Sequence, residues 1–91
     1  MTKLIPNKKF AMKLSVYSLK KILFQGDAQL LNCKTAMGEI TVLDNHETLI
    51  TVLSAGVIKI VDSNKKEHFF PIKSGFLEVR PGNEVRCIIE K

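Results

Sequence analysis

From residue 11 to the end, apolar side chains recur at every second position, and Gly or Pro interrupts the pattern every eight to twelve residues. Period two sends successive side chains to opposite faces of an extended strand, so each run has one face for a core and one for solvent. In the first run Met12, Leu14 and Val16 oppose Lys13, Ser15 and Tyr17, and in the last Val85, Cys87 and Ile89 oppose Arg86 and Glu90. Between them lie runs at 22–24, 29–34, 39–43, 48–53, 57–61, 68–73 and 76–80. No window of a dozen residues carries an apolar stripe at 3.6-residue spacing, which argues against an amphipathic helix. Short strands at this spacing predict an all-β domain of two packed antiparallel sheets.

The breaks between runs have turn chemistry. Gly26-Asp27 ends one strand, Ser54-Ala55-Gly56 separates two others, and Ser74-Gly75 reads as a turn. The polar stretch 62–67 is a hairpin loop. Pro81-Gly82 places Pro second and Gly third in a four-residue turn, the pattern of type II. Pro71 interrupts a strand pattern, and because it cannot donate to a ladder it predicts an edge strand or a bulge. Two runs are apolar on both parities: Ile40 and Val42 against Leu43, and Ile50 and Val52 against Leu49 and Leu53. Such strands are expected to be covered twice, once by the second sheet and once by a partner.

Ninety-one residues make one domain, which at this size buries roughly 60–65% of its unfolded surface and needs a well-filled core. Phe24, Phe70 and Phe76 are assigned to that core. Cys33 and Cys87 are expected to be two reduced, buried thiols; a disulfide between them is the alternative, since pairing is not readable from sequence. The net charge of +5 is uneven: residues 1–26 hold six lysines and no acid, while the remainder holds eight basic and nine acidic side chains. Residues 1–10 read as a flexible extension, and 11–91 as the folded domain. The extension has no signal-peptide pattern, and no apolar run reaches the length that spans a bilayer.

Chemistry finds little purchase. Cys33, His46, His68 and Cys87 are singletons without the paired spacing of zinc ligands, so no metal is expected. No serine lies in a nucleophile-elbow setting. The glycines are dispersed at strand ends and form no phosphate loop, so no cofactor is expected. Glu39, Asp44 and Glu47 are near one another in sequence, but nothing makes them converge. His68 is expected to be a half-exposed strand residue. An enzyme is not expected. The competing class is a small barrel that binds single-stranded nucleic acid, with Tyr17 stacking on a base beside Lys13. With three phenylalanines assigned to the core, few aromatics remain for such a platform.

Several segments in order, Leu14-Ser-Val-Tyr-Ser18, Ile22-Leu-Phe-Gln-Gly26, Gly38-Glu-Ile-Thr-Val-Leu43, Asn45-His46 and Leu49-Ile-Thr51, resemble the epsilon subunit of F-type ATP synthases. The resemblance continues through Gly56-Val-Ile-Lys-Ile60, Ser74-Gly-Phe-Leu-Glu-Val79 and Pro81-Gly-Asn83, and spans roughly residues 13–89. It implies a flattened two-sheet antiparallel β-sandwich of about ten short strands. It further implies a non-catalytic rotor subunit that joins the gamma subunit to the c-ring, peripheral to the cytoplasmic face of a bacterial inner membrane or its organellar equivalent. Positions matching the family's gamma contacts are Ser18, His46 and Thr51. The loop Thr35-Ala36-Met37-Gly38-Glu39 matches the one that faces the c-ring, with Glu39 the first candidate for meeting a basic group there.

The sequence departs from the family at several positions. Asp44 stands where Pro is usual, and Glu47-Thr48 where Ala-Pro is usual, which predicts a looser, more acidic loop around His46. Met37 replaces a frequent acid, and Ser74 replaces one glycine of a pair. Family members usually continue into a helical hairpin that can brake ATP hydrolysis, whereas this chain stops at Lys91 after its last strand. Neither an inhibitory arm nor a nucleotide site is therefore expected of these residues.

Overall fold

The computed structural model describes residues 11–91, and the extension 1–10 lies outside the described residues. Eight strands follow in order: β1 (Met12–Tyr17), β2 (Ile22–Thr35), β3 (Gly38–Leu43), β4 (Leu49–Leu53), β5 (Gly56–Asp62), β6 (Glu67–Ile72), β7 (Ser74–Arg80) and β8 (Glu84–Glu90). The described residues contain no helix. They are joined in the order β1-β8-β7-β4-β2-β5-β6, with β3 beside β2 and a further β1–β2 pairing. One ladder is parallel, β1 against β8; the others are antiparallel. The all-β sandwich is as expected, in eight strands where about ten short ones were anticipated.

Part of the difference lies in β2. Residues 22–24 and 29–34 read as two strands broken at Gly26-Asp27, yet they form one strand of 14 residues. Its first half pairs with β1, Met12 facing Ala28, and its second half pairs with β3 and β5. Between Ala28 and Leu30 the register against β5 slips, so two steps on β2 match one from Asp62 to Val61. The extra residue, Gln29, is a β-bulge, and it flips the inward parity. Before it Ala28 is buried; after it Leu31, Cys33 and Thr35 are. β2 can thus serve both sheets.

The inward rows form one core from Met12, Leu14, Val16, Leu31, Val42, Leu53, Ile58, Ile60, Leu77 and Cys87 with their neighbours. Burying these side chains is the main stabilising term, at roughly 25 cal/mol for each Å² of apolar surface removed from water. Cys33 and Cys87 are free thiols within it. Burial pushes the Cys33 thiol up to about 11, with the nearby Glu39 charge adding to the effect. Burial raises that of Cys87 as well. Such thiols do not ionise near neutrality and make poor nucleophiles. Pro71 lies on β6, which ends the strand order, as its missing donor requires. Ser74 and Gly75, read as a turn, belong to β7. Gly75 answers to close approach: a Cβ there would lie 2.6 Å from the Ile88 carbonyl oxygen.

Two polar knots hold the loops. Asn83 has φ 63°, and the preceding Gly82 has φ 85°, as the third position of a type II turn needs. The Asn83 side chain donates to the Ala11 carbonyl at 3.0 Å and to the Asp44 carboxylate, and accepts from the Asn45 amide at 2.9 Å. One amide thereby ties the start of β1, the β3–β4 loop and the β7–β8 turn. In the second knot Asp62 accepts from the amides of Asn64 (2.8 Å) and Lys66 (2.9 Å) and pairs with His68 Nε2 at 2.9 Å. His68 is half-buried, as expected, and its ring meets Phe24 edge-on with centroids 5.1 Å apart.

Asn83→Ala removes three hydrogen bonds and leaves a β-carbon in the left-handed region, so it should cost about 2 kcal/mol in urea denaturation. A second expectation concerns acid. The hydrogen bond from His68, then those from the Lys66 and Asn64 amides, hold the Asp62 carboxyl below its usual value. A depressed folded value means that this contribution is present above the unfolded value, about pH 4, and is lost as pH falls through the folded one. The thermal midpoint of the wild type should therefore drop more between about pH 5 and pH 3 than that of Asp62→Asn; equal slopes by circular dichroism would refute the assignment.

Candidate interaction surface

β1, β8, β7 and β4 form a continuous sheet whose outward side chains fall into cross-strand rows. The first row is Lys13, Glu84 and Arg80; the second is Ser15, Arg86, Glu78 and Ile50. The third is Tyr17, Ile88, Phe76 and Val52. It is apolar across all four strands. Opposed side chains in adjacent strands have β-carbons about 5 Å apart, close enough to form one strip. Exposure is high for residues of this type: Ile50 75%, Phe76 56% and Val52 53%. A groove of about 760 Å³ runs along the strip towards Leu19 and Lys21.

The arginines and glutamates of the charged rows pair with one another, leaving Lys13 as their one cation without an ion pair among the described residues. Glu78 lies 3.8 Å from Arg80 and 4.0 Å from Arg86, and Arg80 lies 3.9 Å from Glu84. Exposed pairs like these contribute little stability, at most about 1 kcal/mol each. They do leave the apolar row beside a surface with little net field. Contiguous exposed apolar surface of this kind marks a site for a partner.

Ile50 and Val52 were legible from sequence as the second apolar parity of β4, and both are exposed. Phe76 was assigned to the core, and that assignment is corrected: Leu77 and Val79 take the inward parity of β7, so Phe76 points out with Glu78 and Arg80. The signal was there, since Phe76 shares parity with those charged neighbours. Ile88 likewise shares parity with Arg86 and Glu90 and is exposed with them. Phe24 and Phe70 do pack on the core.

The expected gamma contacts are not gathered together. Ser18 caps the β1–β2 turn, its hydroxyl accepting from the Lys20 amide at 3.3 Å. His46 sits in the β3–β4 loop, at the opposite end of the sheet beside the Asn83 knot. Thr51 is in the middle of β4, half-buried on the inward parity with Leu49 and Leu53. His46 Nδ1 lies 2.8 Å from the Glu47 carbonyl; a carbonyl only accepts, so Nδ1 carries the proton and Nε2 is left as an acceptor. The loop was expected to be loose with Asp44 in place of Pro. Instead, Asp44 is held by Asn83, and Leu43 accepts from the His46 amide at 3.2 Å to close a turn.

In the 35–39 loop, Ala36, Met37, Gly38 and Glu39 are exposed and Thr35 is buried. The Thr35 hydroxyl donates to the Gly38 carbonyl at 2.8 Å and accepts from the Met37 amide at 3.0 Å. It shapes the hairpin from inside and offers no side chain outward. Among the described residues no three His, Cys, Asp or Glu side chains converge as metal ligands do. No helix among the described residues is long and apolar enough to cross a membrane.

Comparison with known proteins agrees with this architecture. The family model described as "ATP synthase, Delta/Epsilon chain, beta-sandwich domain" matches residues 11–90. The ATP synthase epsilon chain of Hydrogenovibrio crunogenus is 35% identical over 71 residues, 78% of this chain and 49% of that one. That of Desulfosudis oleivorans is 34% identical over 79 residues, 87% of this chain and 59% of that one. The chain thus spans about half the length of these curated relatives. A chain in the cryo-EM structure of the Euglena gracilis mitochondrial ATP synthase, OSCP/F1/c-ring in rotational state 1, superposes with a TM-score of 0.83 at 21% identity, covering 89% of this chain and 51% of that chain. One from the central stalk/c-ring of the Tetrahymena thermophila mitochondrial ATP synthase gives 0.78 at 16% identity, covering 88% and 63%. The match across nearly all the described residues places the chain in the ATP synthase delta/epsilon family, as its β-sandwich domain.

Proposed function

We propose that this chain is a non-catalytic part of the rotor of a proton- or sodium-translocating F-type ATP synthase, linking the gamma subunit to the c-ring on the cytoplasmic face of the membrane. The observation that carries the reading is the exposed row Tyr17–Ile88–Phe76–Val52, extended by Ile50. A domain that only had to be soluble would place polar side chains there. Torque transfer needs an interface that resists shear, and an apolar strip flanked by self-paired charges gives adhesion without a strong requirement for charge on the partner. The gamma subunit is assigned to this face, with Ser18 at one end and His46 Nε2 available as an acceptor at the other. Thr51, half-buried, supports the face from behind.

The c-ring is assigned to the β2–β3 hairpin, with Ala36, Met37, Gly38 and Glu39 outward and Thr35 setting the loop's shape. Glu39 opposes Lys34 across the ladder without forming a salt bridge among the described residues. Its carboxylate is therefore available to a basic group on a ring loop. The domain carries out no reaction in this reading: it transmits force, its thiols and His68 are structural, and His46 serves as a hydrogen-bond partner.

A second reading, single-stranded nucleic-acid binding, gains one observation, because Tyr17 and Phe76 share an outward row. It stays second because the row offers two rings for stacking and Arg80 and Arg86, on the adjoining rows, are already paired with Glu78 and Glu84; Lys20 and Lys21 line only the groove at its end. A titration with single-stranded RNA separates the two; micromolar affinity that falls steeply with salt would favour the second.

The assignment of faces is open to test in a reconstituted complex. Phe76→Asp with Ile88→Asp should reduce gamma binding by at least 100-fold while the far-ultraviolet spectrum stays that of the wild type. Glu39→Lys should leave gamma binding intact and weaken attachment to the ring by about tenfold, the effect of losing one exposed charge pair and gaining a repulsion. Undiminished ring attachment would remove Glu39 from the interface.

A further inference from the structure

The loop that carries His46 gives no side chain to the core. None of residues 44–48 is buried, and none belongs to the core cluster. Packing alone therefore does not hold the loop in one shape. Polar contacts do. The His46 amide donates to the Leu43 carbonyl at 3.2 Å and closes a four-residue turn. Asn45, third in that turn, has φ 60°, as type II needs, and Asp44 takes the second position, where proline is favoured. The His46 ring donates from Nδ1 to the Glu47 carbonyl at 2.8 Å, which leaves Nε2 as an unengaged acceptor among the described residues.

Both central residues of this turn are gripped by one side chain from another turn. Asn83 accepts from the Asn45 amide at 2.9 Å, donates to the Asp44 carboxylate, and donates to the Ala11 carbonyl at 3.0 Å. Two donors and one acceptor are needed in a small space. A carboxamide supplies all three, whereas a carboxylate there could only accept and would repel Asp44. The residue must also tolerate φ 63°, which asparagine does more readily than most. Asn83 lies 38 positions from Asn45 and makes no hydrogen bond to His46 itself.

We propose that Asn83 is a positioning residue for the partner interface: by fixing Asp44 and Asn45, it sets the direction in which His46 presents Nε2. The inference rests on the reading of His46 as a gamma contact, and it adds a residue that acts through the loop. A loop ordered in advance loses less freedom when its partner binds, so more of the His46 bond survives as affinity.

Gamma binding and the imidazole nitrogen shifts of the full chain test this together. Asn83→Gly is the informative variant, because glycine keeps the left-handed φ without strain and only the side-chain bonds are lost. All variants are compared at a temperature where circular dichroism shows them folded. At pH 8.5 His46 should be a single Nδ1–H tautomer in the wild type and a mixture of tautomers in Asn83→Gly. His46→Ala should weaken gamma binding about fivefold, the effect of one hydrogen bond. Asn83→Gly should weaken it by a similar factor, and the double variant no further than His46→Ala alone. Asp44→Pro added to Asn83→Gly should return binding to within about twofold of the wild type, since proline favours the same turn. The thermal midpoint should stay below the wild-type value, because the tie to Ala11 is still missing; a merely structural role for Asn83 would leave binding and midpoint lowered together. An unchanged tautomer in Asn83→Gly would overturn the inference, as would additive losses in the double variant or no recovery with Asp44→Pro. If His46→Ala bound gamma as the wild type does while Asn83→Gly mixed the tautomers, the gamma assignment of His46 would fall and the positioning of its ring by Asn83 would stand.

Discussion

β2 is the member of both sheets, and the arrangement of every other strand follows from how it changes face. It pairs with β1, β3, β4 and β5. A regular strand keeps one parity inward along its length, which would have buried Asn32 and Lys34 once Ala28 was buried. The bulge at Gln29 removes that conflict by one residue, so that Leu31, Cys33 and Thr35 meet the core. Loss of one ladder bond at the bulge is offset by a continuous hydrophobic interior, and the closed circuit of β1, β8, β7, β4 and β2 leaves few edges to protect. Of these, the β6 edge carries Pro71.

Because the inward rows suffice for the core, the apolar side chains on the outer face are surplus to folding. Tyr17, Ile88, Phe76 and Val52 are brought together only because β1 lies parallel to β8 and the β7 register sets Phe76 opposite both Ile88 and Val52. A slip of one residue in β7 would carry Phe76 inward and Leu77 out. The face and the core are thus specified by the same pairings, which makes the surface as rigid as the fold. Rigidity of this kind suits a part that passes force between neighbours, since an adaptable loop would yield before transmitting it.

The family departures around His46 have a physical account. Proline stiffens a loop by restricting φ and reducing the freedom of the unfolded chain. Asp44 cannot do this, but its carboxylate takes a hydrogen bond from Asn83, which also holds Asn45 and Ala11. Stiffness that proline would supply through the backbone is supplied here through side chains across 39 sequence positions. Ser74, in place of a glycine, donates to Glu90 at 3.0 Å and joins β7 to β8. In each case a polar side chain makes a tertiary hydrogen bond.

What the sequence by itself determined was local: the all-β class from period two, the inward sets of β1 and β8, an edge or a bulge for the strand with Pro71, the polar hairpin at 62–67, and the two apolar parities of the 48–53 run. Each follows from alternation or from backbone chemistry within a few residues. What only the tertiary structure decided was non-local. Gly26-Asp27 looks like a strand end because glycine weakens a strand and turns favour Asp, yet pairing on both sides carries β2 through it. Phe76 looks like core because a phenylalanine ring is apolar, but side-chain direction is set by the pleat, and the pleat by Leu77 and Val79. The capture of Asp44 by Asn83 depends on which strands become neighbours, and alternation along a chain carries no information about that.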